Sequence, residues 1–185
     1  MRTILIALSL FLAGAASAQA PSQPSLDYSY LEGRYVDLDV GGGDGFRFGG
    51  SYQLNGNWIL LGSLTTLDFD FDVDSFTIDV GGGYIIPFQK DWDFLATLRY
   101  VNTEVDTPFG DADDSGLGIS FGIRGMIAPQ FEVRGNVNHV TIGDDDTFLD
   151  IAADYYFTPQ FAAGLSVDIG GDADAFTIGG RWYFR

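Results

Sequence analysis

The chain contains no cysteine, one histidine (His139) and one lysine (Lys90). Without cysteine there is no disulfide scaffold, no thiol nucleophile and no zinc site of the finger type. Basic residues are scarce, nine against 26 acidic ones, and the formal charge of −17 repels nucleic-acid phosphates with no positive stripe to offset it. Nucleic acid is therefore excluded as a partner. A 3.6-residue apolar period is missing too, and past the N-terminus no stretch approaches the roughly 18 apolar residues of a spanning helix. What remains is rich: 46% hydrophobic residues, 15% aromatic and 25 glycines in 185 positions, too apolar for a disordered chain and the length of one domain.

The first 20 residues read as a secretory signal peptide. Arg2 gives the charge, Ile4 to Ala16 the short apolar core, and Ala16-Ser17-Ala18 or Ala18-Gln19-Ala20 the cleavage pattern. Residues 21–185 form the mature domain. From Leu26 onward the text alternates strictly, apolar then polar, in runs at 26–38, 46–54, 58–68, 75–87, 92–103, 115–127, 131–141, 148–157, 161–170 and 175–185. This is the strand period, and it predicts ten strands. Four connections are tight turns (55–57, 89–91, 128–130, 158–160), each followed at once by an aromatic: Trp58, Trp92, Phe131 or Phe161. The other five, around 39–45, 68–74, 104–114, 143–147 and 170–174, are longer or strongly acidic.

One face can be followed through eight of the runs, from Phe46, Phe48 and Tyr52 to Ile178, Trp182 and Phe184; its 41 positions carry no charge. The positions between them carry eleven charges, with small residues around them. The phase of the first and third strands stays open. A soluble barrel with that apolar face inside would show a Lys- and Glu-rich exterior. A membrane barrel with it outside would enclose small residues and balanced charges, and would carry an aromatic girdle at the tight-turn end. The second pattern is the one present. The sequence therefore predicts an all-β, ten-stranded antiparallel up-and-down transmembrane β-barrel.

Several segments resemble small outer-membrane β-barrel proteins of the OmpA/OmpX-like superfamily: Tyr28-Ser29-Tyr30-Leu31-Glu32-Gly33, Phe121-Gly122-Ile123-Arg124, Tyr155-Tyr156-Phe157-Thr158-Pro159 and the aromatic last strand. The acidic loops bring it nearest to the xanthomonad-type family once described as activators of plant immunity. The resemblance implies a place in the outer membrane of a Gram-negative cell, contact with lipid and lipopolysaccharide, and delivery by periplasmic chaperones and the barrel assembly machinery. It offers no catalytic residues. Such barrels usually end on an aromatic, whereas here Phe184 precedes a final Arg185.

Three constellations could carry chemistry. Seventeen of the 26 acids sit in the long connections. Among them, Asp70, Asp72, Asp144, Asp145 and Asp146 are candidate ligands for weakly held Ca²⁺ or Mg²⁺, the alternative being a merely solvated rim. Asp68 to Asp72 mimics the start of an EF-hand loop, but Val73 stands where that loop needs Gly. Inside the barrel, the turn at 88–91 sets Asp79 opposite Arg99; Glu132 lies diagonal to Arg124, and Arg134 approaches Asp154. These charges form either a structural ion-pair plug or the lining of a narrow pore. His139 is the one candidate general base, but its parity is that of the lipid face and no serine stands beside it. No other cofactor is expected. The sequence thus points to a structural or surface-interaction role without catalysis, with a small passive diffusion pore as the alternative and an outer-membrane hydrolase a more remote one.

Overall fold

A computed structural model describes residues 26–39, 42–143, 145–171 and 173–184. The expected signal peptide lies outside these residues. Ten strands follow in order: β1 (Tyr30–Leu38), β2 (Asp44–Asn55), β3 (Trp58–Phe69), β4 (Val73–Gln89), β5 (Trp92–Thr107), β6 (Gly110–Ala128), β7 (Phe131–Val140), β8 (Asp146–Thr158), β9 (Phe161–Ile169) and β10 (Ala175–Tyr183). Each pairs antiparallel with its neighbour in sequence, and β1 pairs with β10 to close the barrel. Closure leaves no free sheet edge.

The charge-free face points outward. Phe48, Leu98, Phe121, Val137 and Trp182 are all more than half exposed, and the inward positions alternate with them. The two open phases are now fixed. In β1, Leu31 faces out while Glu32, Arg34 and Val36 face in; in β3, Leu60 and Leu64 face out while Ile59 and Thr65 face in. Around the tight turns the outward aromatics touch, as in Trp58 with Tyr84 and Phe131 with Tyr155, at centroid distances of 4.9 and 5.0 Å. Such pairs suit a girdle at a membrane interface.

Strand lengths are uneven. β1, β9 and β10 have 9 residues, close to the roughly 9–11 that cross a bilayer, whereas β4, β5 and β6 have 17, 16 and 19. The surplus projects as hairpins at the end away from the tight turns. Segment 104–114, expected as a loop, is instead the continuation of β5 and β6, paired down to Thr107 with Gly110. Val105 and Thr107 keep the β-branched alternation going, and the acids that alternate with them, Glu104 and Asp106, face solvent. Segment 68–74 is likewise a hairpin, turning through Phe71 and Asp72 at φ of 69° and 57°. Two consecutive positive φ values match the right-handed twist of the flanking strands.

Candidate functional site in the barrel lumen

The inward face holds six arginines and seven carboxylates: Arg34, Arg47, Arg99, Arg124, Arg134 and Arg181 with Glu32, Asp79, Asp93, Glu132, Asp150, Asp154 and Asp168. At the tight-turn end they form one network. Arg124 grips Glu132 with two parallel bonds of 2.7 Å, and its Nη2 also donates to the Tyr183 hydroxyl at 2.8 Å. Arg181 reaches Glu32 at 3.0 Å and Glu132 at 3.3 Å. Arg34 bridges Glu32 and Asp154, both at 3.2 Å. Tyr156 donates to Glu132 at 2.6 Å. Two aromatic faces cover the cations: Tyr28 lies 4.7 Å from the Arg124 guanidinium and Tyr30 lies 4.2 Å from that of Arg181. Beneath them Tyr28, Ile59 and Ile85 form a small apolar core. The segment before β1 tucks into this end, where the Asp27 carbonyl accepts from Arg124 Nη1 at 2.9 Å.

Inward glycines leave room for these charges. A Cβ on Gly179 would come 2.7 Å from Arg34 Cγ and 2.1 Å from a backbone oxygen; one on Gly164 would come 2.3 Å from Asp154 Oδ1. Neither position tolerates a side chain without moving the network.

The pairs named from sequence are all brought together. Arg99 Nη1 lies 3.7 Å from Asp79 Oδ1, and Arg134 Nη1 lies 3.4 Å from Asp154 Oδ2. Glu132 is diagonal to Arg124, because Arg124 stands directly opposite Arg134 and Met126 opposite Glu132. Asp79 is not opposite Arg99, as the turn had suggested. The turn pairs Gln89 with Trp92, and a bulge at Pro87 shifts the register by one residue, so Asp79 faces Val101 and meets Arg99 diagonally. Ser63 also donates to Asp79. Glu32, Arg34 and Arg181 are network members that the sequence-derived pairs omit, and Arg134 gains Asp150 at 3.3 Å. The clue was parity: Glu32 and Arg34 are two apart in one strand and must share a face.

Above the plug the lumen opens into a polar cavity of about 210 Å³, whose wall includes Arg34, Arg47, Arg99, Asp79, Asp150 and Asp168. At the far rim the acids behave differently. Asp37, Asp44, Asp68, Asp74, Asp106 and Asp111 stand directly opposite one another in successive registers from β1 to β6 and are all exposed. Partial loss of solvation, then the Asp68 carboxylate across the hairpin, raises the Asp74 carboxyl above the usual aspartate range. Asp70 and Asp72 occupy the turn at the tip of that hairpin, Asp145 precedes β8 and Asp146 begins it, while Asp144 is outside the described residues. Among the described residues no three acidic or histidine side chains converge as metal ligands. His139 faces outward opposite Thr147, whose hydroxyl is 2.9 Å from its Nδ1.

A closed antiparallel barrel with a charge-free outer belt, an aromatic girdle and a charged interior is the geometry of an outer-membrane protein. The model of the outer membrane protein beta-barrel domain matches residues 3–151. The chain belongs to this family, and its place is the outer membrane. In outer-membrane barrels short turns lie at the periplasmic end and long loops at the extracellular one; by that rule the turns at 55–57, 89–91, 128–130 and 158–160 are on the periplasmic side. No curated protein matches the chain. Among solved structures it is similar to the KdgM porin (TM-score 0.54, 10% identity, 84% of this chain and 99% of that one) and the NanC porin (0.55, 10%, 83% and 100%). It is similar as well to the β domain of the Bordetella autotransporter BrkA (0.50, 13%, 85% and 100%). At these identities the likeness is one of fold.

Proposed function

We propose that this barrel is a closed, non-catalytic surface protein, anchored by its lipid face and acting through the extracellular hairpins β3–β4 and β5–β6. The observation that carries this reading is the filled periplasmic lumen, where Arg124, Arg181, Glu132 and Asp154 are at most 5% exposed and bridged to one another. Ions crossing there would have to displace several charge-assisted bonds at once. The resemblance to porins, one of them solved with oligogalacturonate, suggests a passage for solutes, but the plug stands across it. The two hairpin tips present Phe71 and Phe109, 90% and 100% exposed, among aspartates. Large apolar side chains held in water at the outermost points of a membrane protein suit contact with a partner.

On this reading the row of aspartates from β1 to β6 faces lipopolysaccharide phosphates, and loosely held Ca²⁺ or Mg²⁺ would bridge the two without a formed coordination site. The acidic hairpins also agree with the likeness to the xanthomonad-type family. His139, turned outward and bonded to a threonine, gives no support to hydrolysis. Incorporation of the refolded protein into planar bilayers tests the reading. It predicts no steady ion conductance; a stable open channel would sink it and favour the pore.

A further inference from the structure

The cavity above the plug has a wall unlike the rest of the molecule. All six arginines of the described strands line it, while Glu132, Asp154 and Asp93 lie outside its wall, leaving Glu32, Asp79, Asp150 and Asp168 as its carboxylates. A chain of net charge −17 has thus gathered its guanidinium groups around one space. Three of them have donors to spare. Arg34 is 4% exposed, and its Nη1 has no protein partner although Nε and Nη2 are both bonded. Arg99 Nε is buried without a partner as well. Arg47 donates from Nε to Thr65 Oγ1 at 3.1 Å but has no described carboxylate within ion-pair distance. Arg34 and Arg47 stand directly opposite each other on β1 and β2, and Arg99 lines the same cavity. Like charges face to face weaken a sheet unless something between them accepts their protons. Nearby Ser51, 6% exposed, also has its hydroxyl oxygen without a partner.

We infer that Arg34, Arg47 and Arg99 form a binding site for a small oxyanion, a carboxylate or phosphate group, within the lumen. Guanidinium groups match such ligands because their N–H groups form a planar fork, and the low-dielectric surroundings strengthen each charge-assisted bond. Space is sufficient: the cavity measures about 210 Å³, where one water needs only about 10–15 Å³. Asp168, which also lines the cavity, sets the selectivity by repelling a second anion.

The test titrates the refolded full barrel in detergent with sodium phosphate, and separately with sodium acetate, at ionic strength held constant with sodium chloride. The arginine Nε resonances are followed by NMR. Saturable shifts of Arg34, Arg47 and Arg99 with either probe support the site, and the probe that saturates first tells phosphate from carboxylate. Arg47→Gln, in the side chain least engaged with the plug, should weaken the binding about tenfold or more while heat-modifiable gel mobility stays unchanged. Should that variant fail to fold, Asp168→Asn gives the opposite sign and should tighten binding several-fold. Shifts that follow ionic strength alone, or that are equal in wild type and variants, would overturn the proposal. Conductance is not the readout, so this result stands apart from that of the bilayer experiment.

Discussion

Glu132 and Asp154, at the periplasmic end, are 0% and 2% exposed and accept from two or more arginines each, whereas the six paired aspartates of the extracellular rim face water with like charges directly across the register. The same carboxylate chemistry is thus used in two opposite ways. In the plug, where the dielectric is low, Glu132 and Asp154 are held by bonded arginines; a lone carboxylate there would cost several kcal/mol. Outside, water screens the repulsion, and a row of like charges becomes affordable. Nearly all of the net charge can therefore sit on the rim without threatening the fold.

Breaking the inner network should give the largest effect. Glu132→Ala leaves Arg124 and Arg181 without their shared carboxylate, and a loss of about 3–5 kcal/mol is expected in urea unfolding from liposomes. A loss below about 1 kcal/mol would erase the contrast between the two ends. Next comes the lipid belt: Leu98→Arg, near the middle of β5, should cost about 2–4 kcal/mol by the same measurement. Asp79→Ala is a milder break. Its partner Arg99 keeps some contact with solvent and sits 3.7 Å away, so about 1 kcal/mol is expected, and less still once Arg99 is also replaced by Ala.

The smallest effect belongs to the rim. Because the Asp74 carboxyl is raised above its ordinary value, the folded hairpin binds this proton more tightly than the unfolded chain does. That contribution is fully present below the ordinary aspartate range and is lost as pH rises through the raised value. Amide exchange in residues 66–76 should therefore slow as pH is lowered toward that range, after correction for the intrinsic rate. Asp74→Asn should reduce the change. An identical pH response in the variant would show that the rim carboxylates do not interact.

Much of this was legible in the sequence because a β-barrel writes its two faces in alternate residues. Phe46, Phe48 and Tyr52, or Phe176, Ile178 and Trp182, declare the lipid face unaided. The first and third strands hid their phase for a physical reason. Tyr28 and Tyr30 are aromatics that point inward, where they cover the guanidinium groups of Arg124 and Arg181. Ile59 faces inward to join the core beneath the plug, so β3 is apolar on both sides. Pairing inside the lumen could be named by parity, but not its register. The pair Gln89–Trp92 continued ideally would set Asp79 against Asn102; the bulge at Pro87 and Gln89 moves it one position, to Val101, two short of a direct pair with Arg99. The length of the hairpins was hidden too, since acid-rich segments such as Glu104 to Asp114 read as loops when their solvated outer face is what carries the charge. The aspartate ladder depends on five registers at once, and no local pattern announces it.

The most direct test is a double-mutant cycle on Arg124 and Glu132, measured as unfolding free energy in lipid vesicles. If the periplasmic lumen is one coupled plug, Arg124→Ala and Glu132→Ala will each be severely destabilising. The double variant will lose less than the two single losses added together, with a coupling of about 1–3 kcal/mol. Strictly additive losses would contradict the account and leave the interior charges as independent side chains lining an open lumen.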